Sequence, residues 1–341
     1  MIDKLASLTR ADLEEWWERV PGARRFMRTV GIDAEENRAM AIDISEDDAN
    51  NFITIFTEEI QRRNCSLVIE RLTSTSESTP NKFVTELAER FEPSYLPDLL
   101  SGSLMADVAR KKLLSGYVVI VQVRGRASWL TEAICDFNRV EGVNKGTLIF
   151  LTSELPPQFT YRLTDFITPY DVQFFAINLL ENARLSQTEK LYTATLTAKL
   201  AGTSAMLAKN LACAELYIDG ERLAEEVFGA DYNRRKFERA AWETQIQFAL
   251  PIVETVREKL IARNLPELKK LLPVTDEFGK TLNNPWDMEL RHLHYYGGNV
   301  KVFSQSDWDV LELVYRTRND LSHLDTIDKE RLEKIFALTD F

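Results

Sequence analysis

The chain has 341 residues, of which 45% are hydrophobic and 28% charged, and it carries a formal net charge of −11 at pH 7. This composition is typical of a globular protein, and the length suffices for two domains that each bury a core. A protein that coats nucleic acid needs a basic surface, so the acidic charge argues against broad nucleic-acid affinity. Only a small, local basic site remains compatible with it.

Neither a membrane anchor nor export is expected. The longest apolar runs, at residues 117–121 and 147–151, have the length of a strand, whereas a membrane-spanning helix needs about 20 apolar residues. Met1 is followed directly by polar and acidic sequence, not by a signal peptide. The cysteines form no CxxC pair and have apolar neighbours, which predicts buried thiols in a reducing cytoplasm. They are Cys65, Cys135 and Cys213.

The first predicted element is an amphipathic helix within residues 10–30 that begins at Thr9 or Arg10. It contains the adjacent tryptophans Trp16 and Trp17, which cannot both lie fully on one face of a regular helix. We therefore expect one of them to pack against the domain that follows.

Strands then alternate with helices, which predicts a parallel sheet covered on both faces. The nearly continuous apolar runs agree, because parallel strands are buried on both sides. Strands are predicted at residues 39–44, 66–70, 117–123, 147–152 and 172–177. Helices are predicted from Ser45 onward and at about 81–91, 103–115 and 129–140. The Ser/Thr-rich stretch 73–79 and the pair Pro156-Pro157 are predicted loops.

Strand signals fade after about residue 178, and the rest of the chain is predicted to be helical. The predicted helices cover residues 186–199, 204–216, 234–263, 306–323 and 328–338. We expect an N-terminal helical segment (1–35), an α/β domain (36–180) and an all-α domain (181–341).

Over roughly residues 35–180, the order of elements resembles the AAA and STAND class of P-loop ATPases. In this resemblance, the strand that ends in Thr152-Ser153 matches the sensor strand, and residues 117–123 match the Walker B strand. The predicted fold class is accordingly a degenerate, P-loop-like parallel sheet followed by a helical domain.

The residues that handle phosphate in such ATPases are missing. A P-loop needs glycines to wrap the phosphates, a lysine to contact them and a Ser/Thr on Mg²⁺. Here the first strand runs into residues 44–51, which contain neither glycine nor lysine but three consecutive acids. The third strand ends in Val121-Gln122-Val123-Arg124 without an Asp-Glu pair. Two interpretations stay open, an inactive STAND relative of bacterial conflict systems or an unrelated α/β domain, and both predict no ATP hydrolysis and no cofactor.

The segment Arg318-Asn319-Asp320-Leu321-Ser322-His323 resembles the Arg-polar-x-x-x-His motif of HEPN domains, small helical bundles of which many are metal-independent ribonucleases. The resemblance implies that His323 acts as general acid/base, that Arg318 clamps the phosphate and that Asn319 orients the imidazole. An imidazole that titrates near neutral pH and a guanidinium suit cleavage by the RNA 2′-OH.

Arg318 and His323 lie roughly 140° apart around a straight helix, so within one copy of the chain the two side chains do not point toward a common substrate. HEPN ribonucleases build the site across a homodimer, which would bring the arginine and the histidine of the two copies together. The alternative is structural, with surface ion pairs along the helix and His323 capping its last carbonyls.

Two further patterns favour structural roles. For His292-Leu293-His294, packing beside Tyr295 and Tyr296 is favoured over a metal site, because only Glu289 or Asp287 offers a third ligand. The basic stretch 234–236 with Arg239 is typical of a solvated helix face, and an RNA-guiding patch is the second interpretation.

The sequence thus predicts a cytoplasmic RNA-directed effector or regulator of a bacterial defence or toxin–antitoxin system, with RNA at the C-terminal domain and a second copy as partner. The alternative is a non-catalytic adaptor of a defence complex that binds a partner protein or nucleic acid. The acidic charge and the missing nucleotide-handling residues support that alternative.

Overall fold

The computed structural model describes residues 7–75, 79–95, 103–125, 128–153 and 160–340. The chain divides into two compact units. The first comprises residues 1–179 and 201–210, and the second comprises residues 180–200 and 211–341.

The N-terminal helices place both tryptophans in the interior of the first unit. Helix α1 (Arg10–Glu14) begins after Thr9, whose side chain accepts a hydrogen bond from the Asp12 amide. It continues as a π-helical turn (Glu15–Arg19) before α2 (Pro21–Glu35). Trp16 and Trp17 are 1% and 2% exposed.

Both tryptophans pack against the α/β segment that follows, where one of them was expected to do so. Trp16 packs edge-on against Phe175, and Trp17 packs against Phe26 and Phe52. All five rings belong to the first unit.

A five-stranded parallel sheet forms the centre of the first unit, as predicted. Its strands are β1 (Ala39–Asp43), β2 (Val68–Thr75), β3 (Tyr117–Arg124), β4 (Thr147–Thr152) and β5 (Thr160–Arg162). Their order is β2-β3-β4-β1-β5, with parallel pairing throughout.

Helices cover both faces of this sheet. They are α3 (Glu46–Arg63), α4 (Pro80–Phe91), α5 (Leu104–Arg110), α6 (Leu130–Arg139) and α7 (Pro169–Leu179). One core holds Phe83 of α4, Phe137 of α6 and Phe150 of β4. Strand residues of the opposite parity, such as Ile42 and Ile149, are also fully buried, as expected for a sheet sandwiched between helices.

The strand predicted at residues 172–177 is wrong, because this segment lies in α7. Val172 and Phe175 are buried whereas Phe174 is 44% exposed, which is a helical and not an alternating pattern. The fifth strand is instead Thr160–Arg162, which pairs with β1.

Smaller differences concern loops and thiols. Residues 73–75 of the predicted Ser/Thr-rich loop pair with β3, and Pro156-Pro157 lies outside the described residues. Cys65 is exposed in the turn after α3, and Cys135 and Cys213 are only half-buried, so the expectation of buried thiols is wrong.

The C-terminal region is helical, as predicted, apart from one short hairpin. The helices are α8 (Gln187–Ala201), α9 (Ala205–Leu211), α10 (Ala214–Ile218), α11 (Gly220–Phe228), α12 (Arg234–Arg263), α13 (Leu265–Leu271), α14 (Leu290–His292), α15 (Gly298–Val300), α16 (Gln305–Ser322) and α17 (Lys329–Ala337). The hairpin strands are β6 (Val274–Thr275) and β7 (Thr281–Leu282). Helix α12 packs against α16 and α17. In the described ranges, no helix combines the length and the apolar character that crossing a membrane requires.

Candidate functional site

Helix α16 carries the Arg-polar-x-x-x-His segment and begins after Ser304, whose hydroxyl accepts a hydrogen bond from the Asp307 amide at 3.1 Å. Its buried residues are Leu311, Val314, Thr317 and Leu321. Their spacing of three and four residues forms one apolar stripe. Arg318 and Ser322 fall outside this stripe and are exposed.

The C-terminal end of α16 is firmly anchored. The Trp242 indole N–H donates to the Leu321 carbonyl at 2.8 Å, and Asp320 forms an ion pair with Arg331. Gln245 holds the following segment through two 2.8 Å hydrogen bonds, one to the carbonyl and one from the amide of Ile327. The backbone at the motif is therefore anchored, while the side chains of Arg318 and His323 are exposed.

The structure brings Arg318 and Asn319 together but leaves the imidazole of His323 apart. The Arg318 guanidinium donates to the Asn319 side-chain oxygen at 3.3 Å. His323 is the residue that ends the helix, and its amide donates to the carbonyls of Asn319 and Asp320. Its exposed ring forms no hydrogen bond or ion pair with the described residues.

Arg318 and Asn319 line a cleft of about 380 Å³ in the second unit, and His323 does not. Two other arginines of the cleft are neutralised by carboxylates. Arg257 pairs with Glu254, and Arg291 pairs with Glu289 at 3.2 Å. Within the part of the chain that the structure describes, Arg318 forms no ion pair.

Beside the motif, α16 holds an aromatic stack that the sequence reasoning missed. The His294 ring stacks on Trp308 and Tyr315, with centroid distances of 5.0 and 4.3 Å. Its Nε2 lies 2.6 Å from Glu312. Burial raises the pKa of Glu312, but hydrogen bonds from His294 and Arg316 outweigh this and hold it below its usual value. The spacing of Trp308, Glu312 and Tyr315 along one helix face was the available signal.

The His292 ring is buried and does not belong to this aromatic stack. It is 5% exposed, and its Nδ1 accepts a hydrogen bond from the Glu289 amide at 3.0 Å. Burial and the nearby Arg291 lower its pKa. The two rings of the His-Leu-His segment thus occupy different surroundings, in agreement with the packing interpretation. Among the described residues, no three His, Cys, Asp or Glu side chains are grouped to hold a metal ion.

The basic stretch at the start of α12 is a solvated face. Arg234 pairs with Glu238 at 2.8 Å, and Arg239 pairs with Glu243 at 2.9 Å. These i,i+4 pairs satisfy the arginines locally.

The junction of β1 and α3 is the position that the resemblance to P-loop ATPases would assign to phosphate binding. Ser45 caps α3 and accepts a hydrogen bond from the Asp48 amide at 3.2 Å. Glu46 pairs with Arg124 at the end of β3, 3.1 Å away, and burial raises the pKa of Asp43. The junction therefore presents carboxylates where a phosphate site needs cations and free amides.

The sequence matches no known protein-family model. No curated protein matches it either.

Proposed function

We propose that this protein is an RNA-directed effector of a bacterial defence or toxin–antitoxin system and that its C-terminal helical unit is a metal-independent endoribonuclease. One observation carries the proposal. The anchored end of α16 presents an arginine without an ion-pair partner in the described chain, on the wall of a cleft, and an exposed imidazole five residues further on.

The chemistry assigns a role to each side chain. The 2′-OH of RNA attacks the adjacent phosphorus, the 5′-oxygen leaves, and a 2′,3′-cyclic phosphate remains. His323 exchanges the proton of the attacking or leaving oxygen. Arg318 holds the phosphate oxygens as charge develops. Asn319, which the resemblance would assign to orienting the imidazole, instead positions the Arg318 guanidinium through their hydrogen bond.

A second copy of the chain completes this site. Arg318 and His323 diverge by roughly 140° around the helix, and only Arg318 lies on the cleft wall. In the proposed homodimer, the imidazole of one copy faces the guanidinium of the other.

The sheet unit is proposed as a degenerate, STAND-like scaffold or regulator without nucleotide chemistry. Its strand order differs from the two common doubly wound orders, 3-2-1-4-5-6 and 2-1-3-4-5. The acidic β1–α3 junction supports the loss of phosphate handling.

Cleavage of total RNA in EDTA tests the ribonuclease. We expect the wild-type protein to leave 2′,3′-cyclic phosphate ends. His323→Ala should lose about 100-fold or more of this activity, the usual contribution of acid–base catalysis. Arg318→Ala should also lose about 100-fold or more, the usual cost of removing a group that stabilises developing charge. Arg316→Ala is the matched control, because that exposed arginine pairs with Glu312 instead of lining the cleft.

Mixing the two inactive variants tests the shared site. A heterodimer of Arg318→Ala and His323→Ala retains one intact pair, so cleavage should return to at most half of the wild-type rate. If the mixture stays inactive while wild type cleaves, the site is not shared between copies.

The second candidate, a non-catalytic adaptor, is favoured by the absence of His323 from the cleft lining. If neither the wild-type protein nor His323→Ala cleaves RNA, the result supports the adaptor and contradicts the ribonuclease.

A further inference from the structure

A second cleft, in the first unit, has a charge opposite to that of the whole chain. It measures about 510 Å³ and lies between the N-terminal helices and α3. Its lining includes five arginines and two glutamates, and with the partner carboxylates Glu15 and Glu35 the local net charge is +1, in a chain of net charge −11. The charged residues are Glu18, Arg19, Arg24, Arg28, Glu59, Arg62 and Arg63. We call this site the arginine cleft.

Ion pairs fix part of its wall. Arg62 lies 2.7 Å from Glu18, and Arg63 forms two hydrogen bonds with Glu35, at 3.0 and 3.2 Å. Arg19 pairs with Glu15 outside the cleft, at 3.1 Å. These contacts hold arginines at the rim without neutralising the whole cleft.

Arg24 and Arg28 are the uncompensated charges. They lie one turn apart on α2 and are both exposed, and neither forms an ion pair with the described residues. Like charges at i and i+4 destabilise a helix. An anion bound between them would remove this repulsion, and a locally unfavourable arrangement of this kind is typical of a functional site.

The floor of the cleft adds a buried donor. Trp17 lines the cleft and is 2% exposed. Its indole N–H has no hydrogen-bond acceptor among the described residues. Met27 and Ile55 complete an apolar floor beneath the arginines.

We propose that the arginine cleft binds a compact, phosphate-dense small molecule with two or more linked phosphates, such as a nucleoside polyphosphate. Guanidinium groups stay charged at any physiological pH and bind phosphate oxygens through two parallel hydrogen bonds. The volume falls within the range of small-molecule sites, roughly 300–1,000 Å³. The acidic charge of the remaining chain disfavours a long polyanion, which would extend beyond the cleft.

This site is separate from the β1–α3 junction and from the motif on α16. The inference therefore goes beyond the proposed ribonuclease and does not depend on it.

Titration calorimetry on the full chain with inorganic tripolyphosphate and with ATP tests the inference. Both ligands should bind, and the double variant Arg24→Ala/Arg28→Ala should weaken binding at least tenfold. The matched control is Arg110→Ala/Arg139→Ala, which removes two exposed arginines of the same unit and should bind like wild type.

Two results would overturn the inference. One is tripolyphosphate binding that is absent, or equal in wild type and in the Arg24/Arg28 variant. The other is a short single-stranded RNA that binds through Arg24 and Arg28 while tripolyphosphate does not compete, which would make the cleft a nucleic-acid site. RNA cleavage by the Arg24/Arg28 variant, measured in parallel, should equal that of wild type, so failure here is distinguishable from failure of the ribonuclease proposal.

Discussion

Surroundings, not residue type, separate the three histidines of this chain. His292 is enclosed, His294 is stacked between aromatic rings on α16, and His323 is exposed at the end of that helix. An imidazole changes charge near neutral pH, so its surroundings decide whether that change affects folding.

His292 should make the protein less stable in mildly acidic solution. Burial and Arg291 lower its pKa below the ordinary value of 6.5, although Glu289 and Asp276 partly oppose this. The folded state therefore binds this proton less readily than the unfolded state. As pH falls below about 6.5, the unfolded state is protonated first and the free energy of unfolding decreases. Denaturant unfolding between pH 7.5 and 5 measures this decrease.

The variant His292→Asn removes the titrating ring and keeps an acceptor for the Glu289 amide. The loss of stability between pH 7.5 and 5 should become smaller than in wild type, whatever the absolute stability of the variant. His323→Asn is the control, because it makes the same substitution at an exposed position. If the free energy of unfolding of His292→Asn falls between pH 7.5 and 5 as much as that of wild type, His292 is not the group responsible for the loss.

At the scale of elements, the ends of helices were more predictable than the identity of short apolar segments. Thr9 and Ser45 cap α1 and α3 at the positions where the sequence places helix starts, since a side-chain oxygen there satisfies free amides. The segment 172–177 was misread, because its β-branched and aromatic residues suit a buried strand and a buried helix equally well. β5 was missed because three residues form no periodic pattern.

Gln245 should stabilise the second unit by joining α12 to the segment before α17. Its side chain satisfies both the amide and the carbonyl of Ile327. Gln245→Ala leaves these two buried groups unpaired, which should lower the free energy of unfolding by about 2–4 kcal/mol. Urea unfolding monitored by circular dichroism measures the loss.

The control for this substitution is Gln247→Ala, on the same helix but exposed. It should change the free energy of unfolding by less than about 0.5 kcal/mol. Similar losses in both variants would mean that the Ile327 contacts contribute little.

For the whole molecule, we expect no ATP hydrolysis. The β1–α3 junction has a capped helix start and carboxylates in place of the glycines and lysine of a P-loop. Phosphate release from Mg-ATP should therefore equal that of a protein-free control. Turnover that disappears on substitution of Ser45 would contradict this. Binding of ATP that depends on Arg24 and Arg28 would not, because it belongs to the arginine cleft.

The sequence by itself determined the parallel sheet with its helices, the helical C-terminal region, most element positions and the segment that ends in His323, because hydrophobic periodicity and helix caps act over a few residues. Tertiary structure decided which charges meet across different elements. Arg62 and Arg63 of α3 meet Glu18 and Glu35 of the N-terminal helices, and the arginine cleft joins α2 to residues nearly forty positions away on α3. Electrostatic pairing depends on distance in space, which local patterns do not encode.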